Sequence, residues 1–437
     1  MPYAFPTDLA EQVVARWQTF VTRHDNPAPP LPSFDALHCI LETAFFASFA
    51  REEGRCLRFV LCCAPSVFVP FEGGTQVVPV VAFQASRPFT VDVIRSLAPA
   101  VSPTNAAILV RCPTGEEPAG ECEIAGVLNI GSNLARARSG RSFYHRPAPY
   151  ALVIDVREAG EMHVYRSGIK LALLKSGQLR DQLAFSGLEF LPISSILVRG
   201  SDVLRPRIHG PAGEPARETA DFEWTALVNT ILSIVNGVKE HSHGGTLLIV
   251  APGSERTLPI RVKFDVDDSD SVLTDRFVAF LNSRHQVAAA ERAAKTDQAP
   301  GQLGTVAHLQ ALAFAAEEEL ADAADLAARL TAVDGALVLR SDLTVIGFGA
   351  EIVLDAARPV VAYEVAGSPR TPDEWPVVDS ESFGMRHRSA LRCVALAENT
   401  AAVVVSQDGA VSFFWKQNGR VLIKRDVNTT NPNMVGA

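Results

Sequence analysis

The chain has 437 residues, of which 47% are hydrophobic and 20% charged, a composition that suits packed globular domains and excludes a disordered polypeptide. At about 150 residues per domain it has room for two or three of them. Forty lysines and arginines against 49 aspartates and glutamates leave a formal charge of −9, which excludes general attraction to nucleic acid backbones or anionic membrane surfaces.

The N-terminal segment MPYAFPTDLAEQ lacks the basic start and apolar stretch of a secretory signal. No apolar run reaches the 18 or so residues that span a bilayer. The expectation is a cytoplasmic protein without a membrane partner. Seven cysteines with no C-x-x-C spacing read as reduced thiols, mostly buried.

In chain order, apolar spacing predicts a helix over Leu9–Val21, and Asp25–Pro32 (DNPAPPLP) is turn-rich. Ser33 caps a second predicted helix that runs to about Ala50, with Leu37, Ile40, Leu41 and Ala44 near a 3.6-residue period. Strands are expected at Cys56–Ala64, Val77–Phe83, Ala106–Arg111 and Ile124–Gly131, followed by a hairpin of Tyr150–Val156 and Glu161–Arg166. Arg205–Thr219 is rich in Pro and Gly and marks a domain boundary. A helix over Phe222–Lys239 leads into a strand at His243–Val250. Leu303–Thr331 is helical, read as one helix or two, and precedes strands at Asp334–Leu339 and Thr344–Leu354. A hairpin is expected over Ala401–Trp415. Long helices alternating with continuous apolar strands predict an α/β architecture whose sheet is buried on both faces.

The most informative segment is Gly384–Ala390 (GMRHRSA), in which Arg386, His387 and Arg388 follow a glycine. Arg392 lies one helical turn beyond Arg388. In an acidic chain this is a natural polyanion site, because arginine forks match phosphate oxygens and a glycine lets backbone N–H groups approach them. A solvated basic turn is the competing reading. The second element is Asp334-Gly335-Ala336, which opens an apolar strand after a helix. An aspartate there sits at a sheet edge where α/β proteins place ligands. One carboxylate can hold a magnesium ion that bridges phosphates, and Gly335 and Ala336 leave space for a bulky ligand against the backbone. An aspartate in an ordinary helix-to-strand turn is the plainer alternative.

DGA followed downstream by RHR resembles the signature pair of the diadenylate cyclase (DAC) family. HGGTLLIV resembles that family's first-strand segment, and DGALVLRSDLTVIGFGAEI resembles its DGA strand and return strand. GMRHRSALRCVALAENTAAVVVSQDGAVSFF resembles its RHR helix, apolar strand and serine-bearing turn. The resemblance implies a reaction in which two ATP condense to cyclic di-AMP and two pyrophosphates leave, each ribose 3′-hydroxyl attacking the α-phosphate of the other nucleotide. It also implies Mg2+ or Mn2+ as cofactor, and self-association that brings two DAC domains face to face. On this resemblance Asp334 is the metal ligand and lies near the 3′-hydroxyl. Arg386, His387 and Arg388 hold the phosphates as catalytic residues, and Gly335, Ala336, Gly384, Met385, Ser406 and Gln407 bind the nucleotide. Met385 stands where the family has threonine, which removes one phosphate hydrogen bond. An inactive DAC-like domain that binds ATP or cyclic di-AMP as a sensor is therefore the alternative.

The opening pattern, PTDLAEQVVARW followed by LPSFDALHCILETAFFASFAREEGR, resembles the sensor module called DACNV, found ahead of DAC domains. The resulting expectation is a mixed α/β sensor-like domain over 1–204, a linker over 205–221 and a polar tail over 426–437. Between linker and tail, residues 222–425 form a DAC-type α/β domain with a central mixed sheet flanked by helices. The sequence does not name the sensed ligand, and a nucleic acid partner is not expected. Phe264–Asp270 (FDVDDSD) fails as a calcium loop, because Asp270 stands where glycine is needed and Arg276 where glutamate is. The histidines of HSHGG have no partner at metal-ligand spacing in the sequence.

Overall fold

The computed structural model describes residues 3–17, 31–52, 54–65, 79–101, 106–113, 121–129, 151–166, 169–180, 193–210, 213, 215–241, 243–267, 271–296, 302–353, 360–365, 375–427 and 429. The chain divides into two compact units, Met1–Ser186 with Thr430–Ala437, and Gly187–Thr429. Both are mixed α/β. Among the described residues no helix is long and apolar enough to cross a membrane.

The first unit opens with α1 (Pro6–Trp17) and α2 (Phe34–Phe49). Leu9, Val13 and Trp17 recur at helical spacing and are buried. Ser33 caps α2 as expected, its Oγ accepting from the Ala36 N–H at 3.3 Å. A short pair, β1 (Arg51–Glu52) and β2 (Arg55–Cys56), follows. The main sheet is built from β3 (Phe59–Pro65), β4 (Pro79–Pro88), β5 (Ala106–Cys112), β6 (Glu123–Asn129), β7 (Leu152–Glu158), β8 (Glu161–Arg166), β9 (Ile169–Lys175) and β10 (Gln178–Arg180). Its order is β10-β9-β8-β7-β3-β5-β6-β4, with β3 and β5 parallel and the other pairs antiparallel. Helix α3 (Val91–Leu97) lies between β4 and β5 in sequence. One core joins Leu9 and Ile40 of the helices to Leu61 and Ile154 of the sheet. The predicted hairpin is β7–β8, turned by Gly160 at φ +69°. The predicted end of the first helix beyond Trp17 and most of the turn-rich segment after it lie outside the described residues.

The second unit begins with α4 (Ser194–His209) and α5 (Arg217–Glu240). The expected linker over 205–221 is therefore largely helical, and the division falls at Ser186–Gly187 rather than after residue 204. Pro206 suggested a break, but it sits inside α4, and the helix runs through it for three more residues to His209 although Pro206 has no N–H to give the Asp202 carbonyl. Gly210, at φ +77°, then ends the helix by donating its N–H to the Pro206 carbonyl at 3.0 Å. Ser341 docks α4 by donating its hydroxyl to the Ile196 carbonyl at 2.8 Å.

The remaining elements are β11 (Gly245–Val250), β12 (Ile260–Arg261), β13 (Phe264–Asp265), α6 (Val272–Thr296), α7 (Gln302–Leu330), β14 (Ala336–Arg340), β15 (Val345–Ile352), β16 (Ala362–Glu364), β17 (Val377–Val378), α8 (Met385–Leu396), β18 (Thr400–Val405), β19 (Val411–Gln417) and β20 (Arg420–Lys424). The sheet order is β12-β15-β14-β11-β18-β19-β20-β16-β17, and β13 pairs with β15. Central β11 runs parallel to β14 and antiparallel to β18. All residues of β11 and β18 are buried, so both faces of the sheet centre are covered and these strands read as unbroken apolar runs. The predicted Leu303–Thr331 helix is the single helix α7, and α6 occupies much of the span between residues 252 and 302, where no element was expected. The cysteines are all free; Cys39 and Cys56 are exposed and the other five buried.

Candidate nucleotide site

A cavity of about 1010 Å3 opens in the second unit, at the upper end of the roughly 300–1,000 Å3 usual for small-molecule sites. It lies where β11 and β14 begin, where β15 and β18 end, and where α8 starts. The parallel pair β11–β14 thus offers its amino ends to the cavity, opposite to the carboxyl-end placement expected of open α/β sheets. The reason is local. Antiparallel β15 and β18 flank that pair, so their carboxyl ends and the following turns arrive at the same edge.

Asp334, Gly335 and Ala336 line one wall. Asp334 is exposed and Ala336 is buried at the start of β14. Gly335 has φ +124°, and a Cβ there would lie 2.4 Å from the Gly349 carbonyl carbon and 2.7 Å from the Ala350 N. The glycine is therefore required by the neighbouring strand β15 as well as by any ligand.

Gly384, Met385, Arg386 and His387 form the facing wall. Gly384 is the N-cap of α8 and supplies no side-chain cap, so first-turn N–H groups of the helix have no intrahelical acceptor at the cavity. Met385 is 77% exposed at the rim. Arg386 passes Gly244, where a Cβ would lie 2.9 Å from its Nη1. The second residue of the HGG turn must therefore be small for this guanidinium to reach the cavity. His387 is half-buried between the rings of Phe383 and Phe414, at 6.0 and 5.9 Å. Burial holds its pKa below the usual 6.5, against the opposing pull of Asp408 and aided by Arg425, so the ring is neutral at pH 7.

Arg388 is not among the residues that line the cavity. On a helix at 100° per residue it is turned far from Arg386, and Ser389 takes the position one turn from Arg386 instead. Arg392 is absent from the lining too. Ser406 and Gln407 are both present, in the turn between β18 and β19. The Ser406 hydroxyl donates to the Asp408 carboxylate, and the Ala410 carbonyl is 3.1 Å from it.

Three lining residues carry carboxylates: Asp334, Glu351 and Asp408. Glu351 is held by Arg261 at 2.6 Å and Lys263 at 3.0 Å, and these hydrogen bonds keep its carboxyl below the usual range. Arg386 is the one arginine or lysine among the lining residues. The expected basic concentration over Arg386–Arg392 is thus only partly delivered to the cavity, because helical phase disperses it. Thr246, Thr331, Ser389, Glu351 and Asp408 were not singled out from sequence. Thr246, Glu351, Ser389 and Asp408 all fall within the recognised segments, whereas Thr331 carried no signal of its own.

Comparison with known proteins bears on the other unit. Residues 26–129 match the family described as "Probable sensor domain DACNV". The DACNV match covers about a quarter of the chain and includes α2 and β1 through β6. No curated protein matches the chain. Among solved structures, a hypothetical membrane spanning protein from Bacillus cereus aligns at 13% identity over 54% of this chain and 91% of its own. Its TM-score is 0.22.

Proposed function

We propose that the chain is a DACNV-containing diadenylate cyclase whose catalytic unit is Gly187–Thr429, joining two ATP into cyclic di-AMP with release of two pyrophosphates. The observation that carries this reading is the convergence of the DGA turn, the amino end of the RHR helix and the Ser406 turn on one cavity large enough for a nucleotide. These segments are far apart in sequence, and each bears the residue types that the DAC resemblance calls for.

The donor set fits a divalent ion. Asp334 offers an exposed carboxylate at the cavity, and Mg2+ characteristically takes one or two protein carboxylates together with substrate phosphates. Such an ion, when bound, neutralises charge on the triphosphate and on the departing pyrophosphate. It also answers the excess of carboxylates over arginines in the lining, which by itself repels a polyanion. Arg386 then binds phosphate oxygens, and the first-turn N–H groups of α8 add donors of the kind that favour anions. Neutral His387 is a hydrogen-bonding group rather than a charge. Ala336 presents little side chain, so a nucleotide can lie against the start of β14. The chain carries the RHR segment once, so two chains must oppose their cavities for each 3′-hydroxyl to meet the other α-phosphate.

Met385 motivates a second reading. Its thioether at the cavity rim cannot replace a hydroxyl's hydrogen bond to phosphate. In this reading the cavity binds ATP or cyclic di-AMP without turnover. Thermal melting with each nucleotide, run beside a turnover assay with Mg2+ and with Mn2+, separates the two. Stabilisation with product supports the cyclase, and stabilisation without product under either metal supports the sensor.

A further inference from the structure

Away from the nucleotide cavity, the second unit brings two histidines and a glutamate from three helices to one point. His209 is the last residue of α4, Glu223 lies early in α5, and His285 lies within α6. Nε2 of His209 is 2.7 Å from Oε1 of Glu223, and Nε2 of His285 is 3.2 Å from the same oxygen. The three donor atoms all lie within 4.8 Å of one another. The imidazole rings stack with centroids 5.5 Å apart, and Phe222 walls the His285 side at 6.3 Å. The side chains of His209, Glu223 and His285 are 16%, 15% and 27% exposed. That is too covered for a solvated surface cluster and open enough for an ion to enter.

Hydrogen bonding alone does not account for this arrangement. Nε2 of His285 is screened from water and makes no hydrogen bond among the described residues, although a carboxylate oxygen is beside it. A lone pair turned toward that oxygen is repelled, and an N–H turned there at a poor angle forfeits its bond. A cation between the three donors removes the conflict, because both imidazoles then present lone pairs to it and the carboxylate balances its charge.

The spacing suits such an ion. Tetrahedral zinc with bonds near 2.0–2.1 Å places its donors about 3.3 Å apart, so the two histidine–carboxylate separations of 2.7 and 3.2 Å need movements of only tenths of an ångström, and the two imidazole ligand nitrogens lie within 4.8 Å of each other. Two imidazoles and one carboxylate favour a borderline transition metal over magnesium or calcium, which take oxygen donors. We infer that His209, Glu223 and His285 form a binding site for a divalent transition metal ion, zinc foremost, with a fourth position left to water. The ion pins the carboxyl end of α4 to α5 and α6. Beside it, α4 is tied to α6 by the exposed Arg207–Asp275 ion pair at 2.7 Å, a kind of contact that contributes little to stability.

The test uses the full chain, stripped with chelator, reloaded with zinc or cobalt and dialysed. Wild type and Asp334→Asn are expected to retain one equivalent of zinc per chain, whereas the double variant His209→Gln/His285→Gln retains none. Zinc at a hundredfold excess over its dissociation constant raises the wild-type melting midpoint by about 5–10 °C and leaves the double variant unmoved. Cobalt is expected to give visible bands of a four-coordinate nitrogen–oxygen site without the near-ultraviolet sulfur charge-transfer of a cysteine site. Glu223→Gln, which keeps a hydrogen-bonding partner for His209 but loses the anionic donor, loses the metal as well. Absence of bound zinc in wild type, a sulfur-dominated cobalt spectrum, or full zinc retention by Glu223→Gln or by the double variant overturns the assignment.

Discussion

Replacing Gly335 by alanine is expected to destabilise the second unit before any ligand is added. Two costs combine. The residue holds φ +124°, and forcing a non-glycine residue into such a region costs about 1–3 kcal/mol. The new Cβ would also meet backbone atoms of β15 at 2.4 to 2.8 Å, where nothing can rotate away, and overpacking of this kind costs about 1–3 kcal/mol. The total is about 2–6 kcal/mol, which for a unit of this size lowers the melting midpoint by roughly 4–24 °C. Gly384→Ala is the control. Gly384 has φ −61° and nothing within 4 Å of an added Cβ, so its replacement should cost less than about 1 kcal/mol. Tryptophan fluorescence during thermal melting of the nucleotide-free chain reads mainly the second unit, which holds Trp224, Trp375 and Trp415, while Trp17 lies in the first. If Gly335→Ala melts within a degree or so of wild type, or no lower than Gly384→Ala, the glycine serves a ligand alone and the packing account of the DGA turn is wrong.

Arg386→Ala should weaken ATP binding about 10–100-fold, the worth of a charge-assisted phosphate contact, while Arg388→Ala changes it less than about twofold; calorimetric titration distinguishes them, and equal losses would contradict the helical phase described above. Burial holds the folded-state pKa of His387 below its usual 6.5. The unfolded chain binds its proton first as pH falls, so this residue's contribution to stability is present above 6.5 and is lost as pH drops toward the folded pKa. His387→Gln should flatten that slope in denaturation curves, and an NMR titration placing the folded pKa above 6.5 would reverse the sign. Burial pushes the Cys62 and Cys393 thiols up to about 12, so both should resist a thiol reagent at pH 8 in the folded state. Exposed Cys56 should react first and all seven only after denaturation; rapid labelling of Cys62 would contradict its burial.

Much of the fold was legible because burial on both faces of a sheet leaves an unmistakable mark. Strands β11, β14 and β18 appear as apolar runs, and the Ser33 cap stands where the α2 period begins. Helix α6 was missed because its buried apolar residues crowd into its first half, from Leu273 to Leu281, leaving Val287 alone among alanine, polar and charged residues in the second. The candidate cavity was legible in its motifs but not in its charge. Net charge and local clusters say nothing about which side of α8 an arginine occupies, and a single step along the helix removes Arg388 from the lining that Ser389 joins. The His209–Glu223–His285 cluster could not be read from spacing, because its members come from three helices and meet only through packing.

The most direct test of the central claim is the mass of the nucleotide formed when ATP is incubated with the full chain and Mg2+ or Mn2+, with Asp334→Asn alongside. The account predicts cyclic di-AMP and two pyrophosphates per molecule formed by wild type, and no product from Asp334→Asn. Absence of any cyclic dinucleotide from wild type with both metals, or equal product from Asp334→Asn, would contradict it.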